Sequence, residues 1–275
     1  MGEQIKSADN QKIKRAASLK TRKGREKEGA FLVEGIRLVE MAEESDWQIA
    51  YGFFTNALQN KERGAKLLET LKARCPLYEV SKALFHKVSA TDSPQGIALI
   101  MQKKHTDLTA LPVPQKESLY VVMDGVQDPG NAGTVIRTAD AVGADGVILL
   151  RGTVDLFSDK TVRSTMGSLF HLPICTGVER ENLLSFCMGR GIALYAAALD
   201  RAAKPHFAQA LNRSCAIVLG NEGSGVSAPL LERAEHLYIP MYGAAESLNV
   251  GISAAVILYE ALRQRQFGDC SAQQK

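Results

Sequence analysis

A regular alternation of apolar runs and helix-like stretches between residues 118 and 267 most strongly constrains the fold. It begins with "LYVVMDGV" (119–126), a nearly continuous apolar run typical of strands buried on both faces of a parallel sheet. Similar runs follow at "GVILL", "PICTG", "IALYAAAL", "SCAIVLGNE" and "HLYIPM", and a long helix is predicted from Asn249. Strands alternating with helices in this way predict an α/β domain built on a parallel sheet.

A separate, shorter alternation precedes it, with strands predicted at "AFLVEG", "WQIAYGFFT", "PLYEV" and "GIALIMQ" and helices between them. The two series are separated by "HTDLTALPVPQKES", in which Pro112 and Pro114 are the clearest linker signal of the chain. The sequence therefore predicts two α/β domains. They are residues 1–104 and 118–275, joined by a linker at 105–117.

Charge is concentrated at the N-terminus. The net charge is only +3, yet residues 1–30 hold nine lysines and arginines against four acidic residues. Such a basic arm favours a polyanionic partner, most economically RNA. A solvated basic helix without a partner is the alternative. The candidate RNA-binding residues of this arm are Lys14, Arg15, Arg22, Lys23 and Arg25.

Several functional classes are disfavoured. No apolar run is long enough for a membrane helix and the N-terminus lacks the apolar centre of a secretory signal, so a cytoplasmic protein without membrane attachment is expected. The five cysteines (Cys75, Cys175, Cys187, Cys215, Cys270) form no C-x-x-C pair, and no H-E-x-x-H occurs. We therefore expect neither a disulfide framework, nor a metal site, nor a cysteine nucleophile.

Three short stretches follow predicted strands directly. They are "DPGNAGTVIRTADAVG" (128–143), "VLGNEGSGVS" (218–227) and "IPMYGAAESLNVGISAAVILYEALRQ" (239–264). The first opens a helix with glycines, as a phosphate cradle does, but its G-x-x-G is neither the dinucleotide fingerprint nor a P-loop. Ligands of parallel sheets bind at the carboxyl ends of the strands, so the three loops are expected to converge on one pocket. Exposed glycine backbone beside apolar side chains suits an adenosine ring.

Together these stretches resemble, in order, the three motifs of the SpoU-type (TrmH-type) RNA ribose 2'-O-methyltransferases. The basic arm with "GAFLVEGIRLVEMA" resembles the ribosomal-protein-like substrate-binding domain that often precedes them. The resemblance covers nearly the whole chain. It implies a SPOUT fold with a deep trefoil knot formed by the C-terminal segment, a pocket for S-adenosylmethionine (SAM), and a homodimer.

The resemblance also assigns roles to residues. The implied cofactor-binding residues are Gly220, Ile239, Met241 and Leu248, and the implied catalytic residues are Asn131, Arg137, Glu222, Ser247 and Asn249. Two positions depart from the family pattern. Gly251 stands where many members have serine, and Ile36 stands where proline is common.

Arg137 is expected to act as a clamp and electrostatic stabiliser, because a guanidinium stays protonated at ordinary pH and cannot serve as a base. The proton of the attacking hydroxyl could pass to Glu222, to a phosphate or to water. Structural roles remain open too, since Asn131 could cap its helix and Glu222 could pair with Arg137.

The expected function is SAM-dependent methylation of a ribose 2'-OH, most economically in large-subunit (23S) rRNA. The alternatives are tRNA as substrate, or a non-catalytic RNA-binding or ribosome-assembly protein of the same fold. Arg163 and Ser164, in "TVRSTMGSLFHLPI", are further candidates to face RNA.

Overall fold

The computed structural model describes residues 3–112, 117–200 and 202–267. The strands are β1 (Glu3–Ile5), β2 (Ala30–Glu34), β3 (Ile49–Phe54), β4 (Leu77–Val80), β5 (Ile97–Gln102), β6 (Leu119–Asp124), β7 (Gly146–Leu150), β8 (Ile174–Val178), β9 (Ala193–Ala197), β10 (Lys204–Pro205), β11 (Cys215–Gly220) and β12 (Glu235–Tyr238). The helices are α1 (Gln11–Ser18), α2 (Arg22–Glu28), α3 (Ile36–Glu44), α4 (Asn56–Gln59), α5 (Glu62–Lys72), α6 (Lys82–Val88), α7 (Pro129–Ala141), α8 (Asp159–Ser164), α9 (Arg180–Gly189), α10 (Ala228–Leu231) and α11 (Val250–Phe267).

The chain divides into two compact units. The first contains Met1–Lys104 and Asp155–His171, and the second contains His105–Val154 and Leu172–Lys275. Asp155–His171 thus belongs to the first unit, although the sequence pattern predicts it in the second domain. Its aromatic side chains explain this, since Phe157 packs on Phe31 with ring centroids 4.9 Å apart.

The first unit has a five-stranded mixed sheet in the order β1-β4-β3-β5-β2. β1, β4 and β3 are parallel, whereas β5 runs antiparallel to both of its neighbours. The strands predicted from "AFLVEG", "WQIAYGFFT", "PLYEV" and "GIALIMQ" are β2, β3, β4 and β5. The departure at Ile36 falls on the first residue of α3, whose N–H donates to Gln95 Oε1 at 2.7 Å. A proline there would lose this bond.

The basic arm forms two capped helices. Asn10 accepts a hydrogen bond from the N–H of Lys12 at the start of α1, and Thr21 accepts one from Gly24 at the start of α2. Ile13 of α1 is buried in the core of the unit. The arm is therefore part of the folded unit.

The environment of Arg25 corrects the expectation that this residue binds RNA. Its side chain is 5 % exposed and donates from Nε and Nη2 to Asp155 Oδ2 at 2.9 and 2.7 Å. Nη1 donates to the carbonyls of Leu19 and Lys20. A guanidinium buried and engaged in this way is not available to an RNA phosphate, and we leave Arg25 out of the RNA-binding set.

Replacing Arg25 with alanine should lower the free energy of unfolding by about 3 kcal/mol, because it leaves the largely buried carboxylate of Asp155 without its partner. The matched control is Arg22→Ala, which removes an exposed pair with Glu26 and should cost less than about 1 kcal/mol. Urea unfolding followed by circular dichroism measures both. Equal losses for the two variants would show that the Arg25 pair contributes no more than a surface pair.

The second unit has a seven-stranded sheet in the order β10-β12-β9-β11-β6-β7-β8, and every pairing is parallel. This confirms the predicted parallel-sheet α/β domain. Tyr120 and Val122 of β6 pack in one buried cluster with Leu183 and Cys187 of α9. The final helix, α11, has 18 residues and begins one residue after the predicted start at Asn249.

The predicted linker behaves differently from a free tether. Leu111 is 2 % exposed within the core of the second unit, and the carbonyl of Pro112 accepts a hydrogen bond from the hydroxyl of Tyr120 at 2.5 Å. Apolar packing of Leu111 thus joins the start of this segment to the second unit. Pro114, Cys270 and the tail "GDCSAQQK" lie outside the described residues.

Helices α7 and α11 pack on each other, and the departure at Gly251 lies at their contact. A Cβ at Gly251 would lie 3.0 Å from Cγ2 of Thr134, so the missing side chain permits the close approach of the two helices. The first ten residues of α11, "VGISAAVILY", are apolar on almost all sides. Ile252 and Tyr259, seven residues apart and so on one face, are about half exposed.

The described cysteines are all buried thiols. Cys75, Cys175, Cys187 and Cys215 are free and buried, and burial raises the pKa of Cys75 to about 11 and those of Cys175 and Cys187 to about 12. Such thiols are poor nucleophiles at neutral pH. Over the described ranges, no group of acidic, histidine and cysteine side chains could hold a metal ion, and no helix is long and apolar enough to cross a membrane.

Candidate active site

The site is built at the carboxyl ends of three strands of the second unit, β6, β11 and β12, with β9 lying between β11 and β12 in the sheet. The loops are the β6 loop (residues 125–128), the β11 loop (residues 221–227) and the β12 loop (residues 239–249). β6 and β11 are adjacent, with Asp124 opposite Gly220 at their carboxyl ends. The predicted convergence of the loops is thus observed.

A buried carboxylate joins the first two loops. Asp124, which ends β6, is 2 % exposed; its Oδ1 accepts from Arg180 Nη2 at 2.6 Å and its Oδ2 accepts from the N–H of Ser227 at 2.8 Å. Arg180 Nε also donates to the hydroxyl of Ser227 at 2.9 Å. With both carboxylate oxygens bonded, Asp124 anchors the end of the β11 loop to β6.

Glu222 also connects the β6 and β11 loops. Its Oε2 accepts from the N–H of Gln127 at 3.1 Å, and its Oε1 accepts from the N–H of Asp128 at 3.2 Å and from Asn131 Nδ2 at 2.9 Å. Glu222 therefore binds the β6 loop and the first turn of α7 together, and Asn131, rather than Arg137, is its side-chain partner.

Asn131 extends this connection to the third loop. Its Oδ1 accepts from Asn249 Nδ2 at 2.8 Å, and Asn249 Oδ1 accepts from the N–H of Gly251 at 2.9 Å at the start of α11. The cap of α7 is Asp128, which accepts from the N–H of Asn131 at 2.8 Å. Glu222, Asn131 and Asn249 thus form a continuous relay across the three loops.

The protonation of Glu222 bears on its chemistry. Partial burial acts to raise its pKa, but the hydrogen bonds from Asn131 and from the backbone of Gln127 and Asp128 outweigh burial and hold the pKa below its ordinary value. An efficient general base has a pKa near the working pH and a free lone pair facing its substrate. Glu222 is therefore better suited to hold the loops than to remove a proton.

Arg137 lies on α7 and is exposed. With the described residues it makes no hydrogen bond or ion pair. Thr134, one turn earlier on the same side of α7, packs against Gly251. Arg137 is thus an exposed residue of α7, one turn after the contact of Thr134 with Gly251.

A cavity of about 660 Å³ lies between the β11 and β12 loops and the end of β9. Every predicted cofactor-binding residue lines it, and so do three of the predicted catalytic residues: Gly220, Ile239, Met241 and Leu248, with Glu222, Ser247 and Asn249. Asn131 joins the cavity wall through Glu222 and Asn249, whereas Arg137 is not among the lining residues. Gly220 also has a packing role, since a Cβ there would lie 2.2 Å from the carbonyl carbon of Gly225.

The cavity suits an adenosine bearing a cationic tail. Leu219, Leu237, Leu248 and Ile257 supply apolar walls for a flat ring, and the glycines of the β11 loop leave backbone groups accessible. Among the described lining residues, the charged side chains are two carboxylates, Asp200 and Glu222. The sulfonium and the ammonium of SAM are cations, and both suit such a wall.

Sequence reasoning missed Asp124, Arg180 and Asp200. Asp124 does have a signal, because an acidic residue ends an otherwise apolar strand in "LYVVMD". Arg180 lies 56 residues beyond Asp124 along the chain, and only the folded sheet brings the two together.

The remaining arm residues stay candidates for RNA contact. Lys14 pairs with Asp9, Arg15 with Glu28 and Arg22 with Glu26. The Lys14 and Arg22 pairs are exposed and exchange readily for a phosphate partner, whereas the Arg15 pair is partly buried.

The fold and the loop cluster define a class of protein. Residues 118–259 match the SpoU rRNA Methylase family, and residues 10–99 match the MRM3-like substrate binding domain. The chain belongs to the SpoU rRNA methylase family, and the resemblance found in the three motifs is confirmed.

Its relatives are similar over nearly their whole length. The chain is 41% identical to the 23S rRNA (guanosine(2553)-2'-O)-methyltransferase RlmP of Bacillus subtilis, over 93% of this chain and 98% of that protein. It is 30% identical to the 23S rRNA (uridine(2479)-2'-O)-methyltransferase of Streptomyces viridochromogenes, over 92% of this chain and 89% of that one.

A solved structure agrees. The AdoMet-bound rRNA methyltransferase from Sinorhizobium meliloti has a TM-score of 0.85 and 31% identity, covering 95% of this chain and 98% of that chain. AdoMet is SAM, and the chain is accordingly a SAM-dependent methyltransferase.

Proposed function

We propose that this enzyme transfers the methyl group of SAM to a ribose 2'-OH of 23S rRNA. The observation that carries the proposal is the relay of Glu222, Asn131 and Asn249, which joins the wall of the cofactor cavity to α7, the helix that carries the exposed Arg137. The names of the relatives, two of which are 23S rRNA 2'-O-methyltransferases, favour rRNA over tRNA.

In this proposal the protein contributes mainly positioning. SAM supplies an electrophilic methyl group, and the protein has to hold the ribose oxygen in line behind it. Asn131 and Asn249 each use one amide hydrogen in the relay, which leaves the second to orient the ribose. Ser247, exposed in the β12 loop, offers a further hydroxyl.

Arg137 supplies the charge. Its planar fork holds a phosphate beside the target ribose and favours the oxygen that becomes negative as the hydroxyl proton leaves. Because Glu222 is engaged by three N–H groups and has a lowered pKa, we propose that this proton passes to a phosphate oxygen of the RNA or to water.

The first unit is proposed to bind the RNA. Lys14, Arg15, Arg22 and Lys23 remain in the proposed surface. A cavity of about 260 Å³ in this unit is lined by Arg37 and by Arg163, which the sequence had already suggested as facing RNA. Two guanidinium groups beside one cavity suit phosphate contact.

We further propose a homodimer that buries the exposed face of α11. A helical segment that is apolar on nearly all sides, as the first ten residues of α11 are, is normally covered, yet Ile252 and Tyr259 are 52% and 53% exposed in the single chain. We propose, too, that the C-terminal segment forms the trefoil knot of the family. The path of the chain supports this, because it leaves β12 near one edge of the sheet and returns to pack α11 on α7. A cytoplasmic location, where ribosomes assemble, accords with the proposed substrate.

The double variant Ile252→Glu, Tyr259→Glu should convert a dimer into a monomer, because it places two carboxylates in the proposed apolar interface. Sedimentation velocity measures the change. Met188→Glu is the matched control, since Met188 is exposed on α9, and it should leave the dimer intact. A wild-type protein that sediments as a monomer, or a dimer unaffected by the double change, would contradict the proposal.

The substrate proposal is tested by methyl transfer from labelled SAM to 23S rRNA, 16S rRNA and tRNA purified from a strain that lacks the gene. Label in the 23S fraction alone is expected. Label confined to tRNA would favour the tRNA alternative. Tight binding of RNA without transfer to any fraction would favour the non-catalytic alternative.

A further inference from the structure

Asp200 is a charged residue of the cofactor cavity to which neither the motifs nor the proposed chemistry gives a role. It lies just beyond the carboxyl end of β9, and its side chain is 36% exposed. The cavity is lined by Asp200 together with Ala197 and Ala198 from the end of the same strand. Asp200 therefore lies at the wall of the space in which we propose that the cofactor binds.

The carboxylate is held in one orientation by the protein. Oδ1 accepts from the N–H groups of Ala202 and Ala203 at 2.7 and 3.0 Å, which closes a tight turn. Oδ2 lies 2.5 Å from Nδ1 of His236 on β12. His236 is fixed in turn, because its Nε2 lies 2.8 Å from the carbonyl of Leu231, a group that only accepts hydrogen bonds.

The contacts of Asp200 do not use all of the hydrogen-bond acceptor positions of its carboxylate. An ionised carboxylate offers about four acceptor positions: two backbone N–H groups use both positions of Oδ1, and the contact with His236 Nδ1 occupies one position of Oδ2. Partial desolvation acts to raise the pKa of Asp200, but the backbone of Ala202 and the ring of His236 outweigh it and lower the pKa. Asp200 is thus an ionised acceptor with one position free at the cavity wall.

We propose that Asp200 is a cofactor-recognition residue, whose free carboxylate position accepts a hydrogen bond from an O–H or N–H donor of SAM. Two donor groups of SAM have this chemistry, the ribose hydroxyls and the α-ammonium. Glu222 is the other carboxylate of the described wall, and three N–H groups already engage it. By the same count Glu222 also keeps one acceptor position, but Glu222 holds the three loops together, whereas Asp200 has no part in that relay. The proposal rests on SAM as cofactor and not on the identity of the RNA.

The test is isothermal titration calorimetry of the full chain without RNA. The ligands are SAM, S-adenosylhomocysteine and methylthioadenosine, which keeps the ribose but lacks the amino-acid tail. Asp200→Asn retains an oxygen that can accept from Ala202 and Ala203, so the turn persists while the charge is lost. Asp200→Ala removes the acceptor oxygen as well as the charge. The matched control is Glu232→Gln, which removes an exposed acidic charge outside the cavity.

Asp200→Asn should weaken SAM binding about tenfold or more, and Glu232→Gln should leave it unchanged. If the donor is a ribose hydroxyl, all three ligands weaken together. If it is the ammonium, SAM and S-adenosylhomocysteine weaken and methylthioadenosine does not. Unchanged affinities for all three ligands in both Asp200 variants, with melting temperatures showing folded protein, would overturn the proposal. A protein that binds SAM through Asp200 and methylates no RNA would instead refute the proposed function alone.

Discussion

Arg137→Ala should lower the rate of methyl transfer about 100- to 1,000-fold, the range typical for losing one group that stabilises developing charge. The same change should leave the dissociation constant for SAM unchanged, because Arg137 is not among the residues that line the cofactor cavity. Stability should change by less than about 0.5 kcal/mol, since the side chain is exposed and has no described partner to lose. Single-turnover kinetics, calorimetry and thermal melting give the three values.

The matched control for Arg137 is Arg233→Ala. It removes a second exposed guanidinium of the same unit, just after α10. Its activity should remain close to wild type. Arg137→Lys should restore little, because an ammonium keeps the charge but cannot hold a phosphate with a planar fork. An active Arg137→Ala enzyme, or one that has lost SAM binding, would contradict the proposed clamp.

Glu222→Ala and Glu222→Gln should each lower the methyl-transfer rate about 100-fold. Alanine leaves three N–H groups without their acceptor, and glutamine turns an amide N–H toward one of them. Asn131 and Asn249 then lose their fixed orientation. Melting temperatures should change little, because Glu222 is exposed and water can replace the lost bonds.

The pH dependence of the rate shows whether Glu222 holds the loops or removes the proton of the attacking hydroxyl. Since the pKa of Glu222 is lowered in the folded protein, its contribution to stability is complete above its ordinary value of 4.5 and is lost as pH falls through the lowered pKa. The carboxylate is thus ionised throughout pH 6–9. The rate profiles of wild type and Glu222→Gln should be parallel over that range. An acid limb present in the wild type and absent in the variant would identify Glu222 as the base.

Most of the architecture could be predicted because it depends on local patterns. Continuous apolar runs predicted the parallel strands, and strand ends followed by glycine, asparagine and proline predicted the three loops. The N-terminal arm was harder, since charge alone does not tell a solvated helix from a packed one. Arg25 is buried by Asp155, 130 residues away in sequence, and no local pattern reports such a contact.

In the site, too, local patterns could be predicted from the sequence and contacts between distant residues could not. The lining role of Gly220, Ile239, Met241 and Leu248 follows from motifs that lie within single loops. The hydrogen bonds between side chains of different loops do not follow from these motifs. The bond from Asn131 to Glu222 spans 91 residues and that from Asn249 to Asn131 spans 118, so the pairing of Glu222 with Asn131 instead of Arg137 needed the fold.

The most direct test of the central claim is to map ribose methylation in 23S rRNA from a strain that lacks the gene, complemented with wild type or with Arg137→Ala. A 2'-O-methyl group makes the adjoining phosphodiester resistant to alkali, so each modified nucleotide is read as a gap in an alkaline ladder. We expect one gap that is present with wild type and absent with Arg137→Ala. A 23S ladder identical in both strains would contradict it.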